Sequence, residues 1–535
     1  MEYPSETFTE AERARLAPHV SDLDAPVFAL LNLPETVKGA LFARYSRYPG
    51  TLRRLFLDEF ADSLPELPAG WDTSAEGSRA AQLYERVFLG YGDDSVAQLG
   101  GAHVACEWVS NVLTKLLQRP RLGAYLEQST RYIAYDAPMP SGGYRYYRDS
   151  ALGPAYERAM DALFDTYADL LPRVRAWAAE QFPLRDGEDA RAHARAIDAK
   201  ALDLLRGLLP AASLSHMGIF ASGQTYEQLI LHLLAHPLPE AQRCGRMILT
   251  AVQATIPSFV TRVERPDRGG AWVTYLRARA EAGATWAARL GLAADEGLAE
   301  AGGPSVTLLR HDGEEDDLLA ALLFEAGGVG ERRARARVAE LGADERAALL
   351  RDLVGARENR RHRPGRGFEA LRYRFEIVSD YGAFRDLQRH RMLTCQWQAL
   401  TPHLGAEVPE EVELAGCGGD YRRALEVSRA EYERLVDAGL REAAPYAVCL
   451  GYRIRYVLDM NARAAMQLIE LRSGREGHPS YRAVAHALHA AIAEVHPAVA
   501  AAMTHLDRET EPRLERILSE LRTQARREAP STGLS

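Results

Sequence analysis

We expect a helix-rich α/β (α+β) protein in which two tandem repeats of one fold form a pseudo-dimer within one chain. Three observations predict this class: the chain has 535 residues, a short motif occurs twice, and helix-forming residues are abundant. A chain this long exceeds what one ordinary hydrophobic core supports, so about two to four domains are expected. Alanine, leucine, arginine and glutamate dominate and favour helices, so helices should outnumber strands.

The repeated motif is a basic phrase followed by a more variable one. In the first copy, Gln118-Arg119-Pro120-Arg121 precedes Glu127-Gln128-Ser129-Thr130-Arg131. In the second copy, Gln388-Arg389-His390-Arg391 precedes Trp397-Gln398-Ala399-Leu400-Thr401. Each copy keeps residues that the other has lost. We therefore predict that the two repeats contribute different residues to a single composite site.

The correspondence between the repeats extends beyond this motif. Two parallel segments, Glu107-Trp108-Val109-Ser110-Asn111 and Glu376-Ile377-Val378-Ser379-Asp380, precede the two copies and are interpreted as helical. Further along, Arg206 and Arg441 each stand four residues before a proline. Similarity over several segments arises by chance less easily than one short basic phrase, so it favours a duplication.

The predicted boundary between the repeats lies in a segment rich in glycine and proline. Short apolar runs, Val27–Leu31 and Val306–Leu309, are interpreted as the opening strand of each repeat. Turn-forming residues at Arg265–Gly270 and at Gly302-Gly303-Pro304 delimit a connector. We predict four segments in chain order: a first repeat over 1–265, a connector over 266–303, a second repeat over 304–520 and a polar C-terminal tail over 521–535.

Composition and charge exclude several classes of protein. Hydrophobic residues make up 47% and charged residues 26%, which is typical of soluble globular proteins. The formal net charge of -9 argues against a dedicated nucleic-acid binder. No apolar run approaches the ~20 residues of a membrane helix, and no signal-peptide pattern opens the chain, so we expect a cytoplasmic protein without membrane contact. The five widely spaced cysteines indicate neither disulfides nor a zinc site.

The polar phrase of the first copy is interpreted as part of a strand over Ala124–Ile133. On a strand, alternate side chains share a face, so Glu127, Ser129 and Arg131 would form one row. A guanidinium and a hydroxyl in such a row could bind a phosphate monoester. The alternative is a polar strand edge that faces solvent, and this segment alone does not decide between them.

The basic phrase of the second copy has a different chemistry. Arg389-His390-Arg391 presents three nitrogen-rich side chains directly after a predicted helix, and would suit a flat cofactor that carries a pyrophosphate. Pro120 gives the first copy a rigid backbone without a donor instead. A second triplet of the same composition, Arg361-His362-Arg363, lies in a loop rich in proline and glycine and is interpreted as solvated.

A helix is predicted from Asn461 to Arg472. Asn461 is a good N-cap, and residues eleven apart lie on the same helix face, so Asn461 and Arg472 could together contact a base or a ribose. The alternative for Asn461 is simple capping of the helix.

These segments resemble the flavin-dependent thymidylate synthases. Arg389-His390-Arg391-x-x-Thr394 resembles the opening of that family's signature, Arg-His-Arg-x-x-Ser-x-x-x-x-Ser-x-Arg, and Ser129-x-Arg131 of the first copy matches its end. Asn461-Ala462-Arg463 resembles the family's Asn-Ala-Arg helix, and Arg206 its arginine before Leu-Pro. The resemblance is to a tandem-duplicated form with two diverged copies in one chain.

The resemblance implies two groups of site residues. From the second repeat, residues that match the family's FAD-binding positions are Arg389, His390, Arg391, Asn461, Arg463 and Gln467. Residues that match its substrate-binding positions are Glu127, Gln128, Ser129, Arg131 and Arg206 of the first repeat and Arg472 of the second. Arg472 would also be catalytic, because the family's arginine there contacts the uracil ring and favours its ionised form.

The implied activity is the reductive methylation of dUMP, or a related uracil nucleotide, at carbon 5. FAD is the implied cofactor, with NADPH and methylenetetrahydrofolate as co-substrates. No enzyme thiol is implied as the nucleophile, although Cys395 lies inside the motif. Since the family assembles as a tetramer, a homodimer of this chain would form a pseudo-tetramer of repeats.

Departures from the family pattern and one basic run leave two alternatives open. The family's upstream Glu-His pair is replaced by Gln98-Leu99 and by Glu369-Ala370, and Gln467 replaces the usual Asn. The first alternative is therefore an inactive scaffold or regulatory protein that binds flavin or nucleotide. The second is a nucleic-acid-binding module that uses the basic run 357–363, which lacks interleaved aromatic residues.

Overall fold

The computed structural model describes residues 3–4, 6–64, 97–139, 142–186, 189–292 and 304–509. These residues form many helices and two four-stranded antiparallel sheets. The predicted helix-rich α+β class is confirmed. Gly302-Gly303 of the predicted boundary and the predicted tail over 521–535 lie outside the described residues.

The contacts divide the chain into two units, and neither unit is one continuous segment. The first unit comprises Met1–Asp169, Leu208–Asp295 and Arg422–Cys449. The second comprises Leu170–Gly207, Glu296–Tyr421 and Leu450–Ser535. Each unit therefore combines sequence from both predicted repeats. The division into repeats over 1–265 and 304–520 remains a prediction about the sequence.

The sheet of the first unit has the strand order β1-β2-β4-β3. Its strands are β1 (Val27–Ala29), β2 (Gly101–Ser110), β3 (Gly123–Glu127) and β4 (Leu214–Ser222). The register of β2 on β4 shifts between Cys106 and Val109, and Trp108 has a positive φ of 57° at this bulge. Almost every residue of β2 is buried, so both faces of this strand are covered.

The sheet of the second unit has the same connectivity, β5-β6-β8-β7. Its strands are β5 (Ser305–Asp312), β6 (Arg372–Asp380), β7 (Thr394–Trp397) and β8 (Arg453–Asn461). Burial alternates along β6: Tyr373, Phe375 and Ile377 are buried, whereas their neighbours are more exposed. One face of this strand therefore packs on the core. Identical strand orders in the two units agree with the duplication that the sequence predicts.

Helices account for most of the remaining described residues. In chain order they are α1 (Glu10–Leu16), α2 (Glu35–Tyr45), α3 (Leu52–Glu59), α4 (Asn111–Leu117), α5 (Gly153–Gln181), α6 (Ala190–Leu205), α7 (Gly223–Ala235), α8 (Pro239–Gln253), α9 (Pro257–Val260) and α10 (Ala271–Arg289). They continue with α11 (Glu315–Phe324), α12 (Glu331–Ala339), α13 (Ala343–Val354), α14 (Tyr381–Leu387), α15 (Glu410–Leu414), α16 (Gly418–Asp437), α17 (Ala462–Arg472), α18 (Pro479–Val495) and α19 (Pro497–Ala501).

Two local predictions are wrong. The segments 107–111 and 376–380, interpreted as helical, lie almost entirely in strands β2 and β6. Ser110 and Asp380 end these strands because their side chains accept hydrogen bonds from Leu113 N and Ala383 N, which caps helices α4 and α14. The helical interpretation therefore began several residues too early.

The second wrong prediction is the strand over Ala124–Ile133. Strand β3 ends at Glu127, and the chain then turns, with Tyr132 N donating to Ser129 O at 3.2 Å. Ser129 and Arg131 therefore lie beyond the strand, and the expected row of side chains on one strand face does not form. The opening strands are confirmed: Val27–Ala29 is β1, and Val306–Leu309 lies within β5.

The segment Arg422–Cys449 is anchored inside the first unit by buried polar contacts. Tyr446 Oη donates a 2.6 Å hydrogen bond to Glu240 Oε2, and the Tyr446 ring stacks on Tyr147 at 4.5 Å. Ser110 Oγ donates to the same carboxylate at 2.7 Å. Burial raises the pKa of Glu240, so these donors stabilise a carboxylate that the protein interior disfavours.

Leu170–Gly207 is anchored inside the second unit by ion pairs and a backbone contact. Lys200 Nζ lies 3.1 Å from Glu411 Oε1, and Arg173 Nη1 lies 2.9 Å from Asp420 Oδ2. Gly451 N donates to Gly207 O at 2.9 Å. The Lys200 pair is largely buried, so it holds the C-terminal half of α6 more firmly than an exposed pair would.

We expect Tyr446→Phe to lower the free energy of unfolding by about 1–3 kcal/mol, because a buried carboxylate loses a donor. The measurement is urea unfolding at neutral pH. Tyr144→Phe is the matched control, since the Tyr144 hydroxyl donates to Asp165 in an exposed contact; its effect should stay within about 0.5 kcal/mol. Equal losses in the two variants would contradict the anchoring role of Tyr446.

Candidate functional site

The second unit contains a cavity of about 240 Å³ that several predicted site residues line. One wall is formed by the residues that follow helix α14. The other is formed by the partly exposed side of helix α17. The lining residues are Arg363, Arg389, His390, Arg391, Met392, Leu393, Ala464, Gln467, Leu471 and Arg472. The structure thus brings together five of the predicted residues that lie far apart in the sequence.

Helix α17 begins where the sequence predicts. The Asn461 side-chain oxygen accepts a 2.8 Å hydrogen bond from Ala464 N, so Asn461 is the N-cap. Its amide oxygen is therefore engaged in capping. Arg463 Nε donates to Pro364 O at 3.0 Å, and its Nη1 lies 3.7 Å from Glu369 Oε1. These contacts tie the start of the helix to the loop that carries Arg363.

His390 and Arg472 form the polar contact at the cavity wall. Arg472 Nε donates a 2.9 Å hydrogen bond to His390 Nε2, so this ring nitrogen must be an acceptor. Desolvation and the neighbouring Arg472 guanidinium lower the pKa of His390 to about 3. The imidazole is therefore neutral at physiological pH, with its hydrogen on Nδ1, and Arg472 keeps the charge.

Arg206 lies in the second unit, although it belongs to the first predicted repeat. It follows α6 and is 4% exposed. Its Nη1 lies 3.8 Å from Asp203 Oδ1 and 3.7 Å from Asp386 Oδ2. Gly382, in the first turn of α14, permits this approach, because a Cβ there would lie 3.0 Å from Arg206 Nη2. Within the described ranges, this buried Nη2 has no hydrogen-bond partner.

Sequence reasoning missed Asp386. Its carboxylate lies near three guanidiniums: Nη1 of Arg389 at 3.5 Å, Nη1 of Arg472 at 3.8 Å and Nη1 of Arg206 at 3.7 Å. The one sequence signal for it is the spacing of three residues between Asp386 and Arg389 at the end of a predicted helix, which favours an ion pair.

Arg363 was also missed, because its triplet was interpreted only as a solvated loop. The side chain is exposed, as expected, but it also lines the cavity. In the same run, Arg357 makes a buried ion pair with Glu470, with nitrogen to oxygen distances of 2.7 and 2.5 Å. Arg357 is therefore unavailable to contact nucleic-acid phosphates, which weakens the interpretation of 357–363 as a basic interface.

In the first unit, two of the predicted substrate residues face inward. Lys115 Nζ and Gln118 Nε2 each donate to Glu127 Oε2 at 2.9 Å, and the Glu127 side chain is 1% exposed. Gln128 is also buried, and its Nε2 donates to Tyr48 O at 2.6 Å. As placed here, Glu127 and Gln128 support the loop that follows β3.

The other two predicted residues of this loop are more accessible. Ser129 and Arg131 are partly exposed, and Arg131 N donates to Ser129 Oγ at 3.3 Å. Ser129 N is held by Ser46 O at 3.1 Å. Both belong to the first unit.

Metal ligands, membrane-spanning helices and thiols are the three further features of the described part of the chain that bear on function. No group of three or more histidine, cysteine, aspartate or glutamate residues there could hold a metal ion. None of the helices described is long and apolar enough to span a bilayer. The five cysteines are free thiols, and Cys395 is the one that is not buried.

His390 generates a prediction about pH. Its folded pKa of about 3 lies below the usual 6.5, so protonation in acid favours the unfolded chain. Its contribution to stability is therefore complete above pH 6.5 and is lost as the pH falls toward 3. His390→Gln keeps an acceptor for Arg472 but cannot be protonated, so between pH 7 and 4.5 it should lose about 1–3 kcal/mol less stability than the wild type. Urea unfolding at several pH values measures this; identical pH profiles would contradict it.

Comparison with known proteins identifies the family. The sequence profile described as thymidylate synthase complementing protein matches residues 58–258 and again residues 312–498. UPF0159 proteins are similar along nearly their whole length. That of Chlamydia pneumoniae is 38% identical and aligns over 92% of this chain and 94% of its own. That of Chlamydia muridarum is 36% identical and aligns over 98% of this chain and 99% of its own. That of Thermoplasma acidophilum is 31% identical and aligns over 91% of this chain and 98% of its own.

Among solved structures, a UMP/dUMP methylase, PolB of Streptomyces cacaoi bound with 5-Br dUMP, aligns with 20% identity over 39% of this chain and 99% of that chain. Its TM-score of 0.32 is too low to support an argument about function. The two separate profile matches fall in the two predicted repeats, as a tandem duplication requires. The chain therefore belongs to the thymidylate synthase complementing protein family and contains that family's sequence twice.

Proposed function

We propose that this protein is an FAD-dependent thymidylate synthase-like methyltransferase. It would methylate dUMP, or a related uracil nucleotide, at carbon 5, with methylenetetrahydrofolate as the one-carbon donor and NADPH as the reductant. The observation that carries the proposal is the cationic cavity lined by the Arg389-His390-Arg391 triplet, Gln467 and Arg472. Membership of the family makes this activity the first to test.

The residues of the cavity fit a flavin dinucleotide. Four guanidiniums line the cavity, those of Arg363, Arg389, Arg391 and Arg472, and this charge suits a pyrophosphate. Met392, Leu393 and Leu471 offer apolar contacts to a flat ring, and the Gln467 amide offers both a donor and an acceptor. Arg463 would approach the cofactor from the start of α17, where Asn461 caps the helix. Bound FAD would supply electron and one-carbon transfer between the co-substrates and the nucleotide.

The His390 contact orients the catalytic candidate Arg472. Because the neutral imidazole accepts from Nε, the terminal guanidinium nitrogens of Arg472 keep their direction and their charge. A fixed cation beside the pyrimidine oxygens would stabilise negative charge as it develops on the uracil ring. Arg472 therefore suits the role that the family resemblance implies.

Arg206 suits the binding of the nucleotide phosphate. It is a buried guanidinium whose ion pairs with Asp203 and Asp386, at 3.8 and 3.7 Å, are longer than hydrogen bonds, and its Nη2 has no hydrogen-bond partner among the residues described. Such a group gains by binding an anion. Ser129 and Arg131 remain proposed substrate contacts. Arg206 belongs to the first predicted repeat, yet it shares a unit with the cavity residues of the second. This supports a site that needs both copies of the sequence.

We expect Arg472→Gln to lower the turnover of dUMP by about 100-fold or more, since a transition-state cation is lost. The assay is tritium release from carbon 5 of labelled dUMP with methylenetetrahydrofolate and NADPH present. Arg475→Gln removes the same charge from an ion pair with Asp507 and should retain near-normal turnover. If the wild type binds FAD but releases no tritium, the inactive scaffold is favoured instead.

We expect Arg206→Ala to weaken dUMP binding by about 10- to 100-fold, the effect of losing charged hydrogen bonds to a phosphate. Equilibrium titration of the purified protein with dUMP measures the dissociation constant. The control is Arg175→Ala, which breaks an ion pair with Asp198 and should leave the constant unchanged. Arg206→Lys should recover part of the affinity. Unchanged binding in Arg206→Ala, with thermal stability retained, would exclude Arg206 from the phosphate site.

A further inference from the structure

Asp386 lies where three arginines from different parts of the second unit meet. Arg389 is one turn away along the chain, Arg472 ends helix α17, and Arg206 follows helix α6. One carboxylate is shared among them: Oδ1 faces Arg389 and Arg472, and Oδ2 faces Arg206. No other described residue is paired with all three arginines.

The geometry of these three contacts is loose. Their nitrogen to oxygen distances are 3.5, 3.8 and 3.7 Å, beyond the usual 2.7–3.2 Å of a hydrogen bond. The Arg357 pair with Glu470, in the same unit, is tight at 2.5 Å. At these distances Asp386 balances the charge of the three guanidiniums through electrostatic attraction.

In the protein without a ligand, the Asp386 carboxylate reduces the electrostatic repulsion among the three guanidiniums. Three guanidiniums within reach of one carboxylate repel one another; solvent screens this repulsion least for Arg206 and Arg472, whose side chains are 5% and 15% exposed, and most for Arg389, which is 39% exposed. Arg206 also lies 3.8 Å from Asp203, and it interacts electrostatically with Asp380. Among the described residues, Asp386 is the carboxylate that forms ion pairs with all three arginines, two of which line the cavity.

We propose that Asp386 is a positioning residue that acts as an internal counter-anion for Arg206, Arg389 and Arg472. When a phosphate-bearing ligand arrives, its oxygens take over part of the contact that the carboxylate made, and the arginines need to move little. The identification of the ligand as a nucleotide rests on the proposed function. The charge balance between Asp386 and the arginines applies to any ligand that carries a phosphate. The carboxylate thus competes weakly with the ligand while, together with the hydrogen bond to His390, it directs the Arg472 guanidinium.

The first test is binding of inorganic pyrophosphate to the full-length protein by titration calorimetry. Asp386→Asn should bind about three- to tenfold more tightly than the wild type at low salt, because one competing negative charge is gone. The difference should shrink as salt is added. The control is Asp316→Asn, which removes a carboxylate paired with Arg346 on another part of the unit and should bind as the wild type does. Equal or weaker binding by folded Asp386→Asn overturns the proposal.

The second test separates positioning from mere support of the fold. In Asp386→Asn the kcat for dUMP should fall at least tenfold while KM does not rise, because the arginines still bind the ligand but Arg472 is misdirected. A supporting residue would instead lower thermal stability and affinity together, which would overturn the proposal. If the wild type does not turn over dUMP, the proposed function fails, and the pyrophosphate comparison still decides the role of Asp386.

Asp386→Glu covers the case in which Asp386→Asn does not fold. It keeps the charge but moves it by one methylene group. Pyrophosphate affinity should stay within about twofold of the wild type, because the charge is retained, while kcat for dUMP falls. A large loss of affinity with unchanged kcat would overturn the positioning role.

Discussion

The candidate site depends on how the charge of Arg206 is buried. A guanidinium that is 4% exposed costs free energy unless anions lie near it, and Asp203 and Asp386 supply them. Because Asp386 also contacts Arg389 and Arg472, this one carboxylate connects the segment Leu170–Gly207 to the basic motif and to helix α17. These three separate chain segments therefore share one electrostatic contact, in addition to the ion pairs and backbone contacts that anchor each of them.

Local sequence patterns correctly predicted the structural features that depend on residues close together in the sequence. The N-cap at Asn461, the opening strands and the shared strand order of the two sheets all follow from short-range signals or from the repeat. The predicted secondary structure was wrong where a capping side chain determines the boundary between a strand and the helix that follows it. Asp380 ends strand β6 and begins helix α14, and the apolar residues before it fit either structure. The turn after Glu127 likewise depends on backbone contacts that no periodicity reveals.

The predicted site residues stay a prediction, and the sequence did not reveal the partners that these residues contact in the folded chain. Glu127 on a strand suits a ligand or an internal cation equally well, and the structure supplies the cation, Lys115. Arg206 was recognised only through its family motif; nothing local indicates that it joins a unit made mostly of the second repeat. Asp386 was overlooked because its importance arises from three arginines that converge on it in space. Long-range ion pairs of this kind are visible only in the folded chain.

The two copies of the motif differ in where their charged side chains lie and in what these side chains contact. In the first copy, the lysine that precedes the basic phrase and the glutamate that follows it neutralise each other in the interior, with both side chains 1% exposed. In the second copy, the residues after the phrase are uncharged, and the arginines line a cavity. Leu117-Gln118 corresponds to Leu387-Gln388, so the position of Asp386 is occupied by Leu116 in the first copy. The first copy therefore lacks the carboxylate that would gather arginines, and an anionic cofactor site is expected around the second.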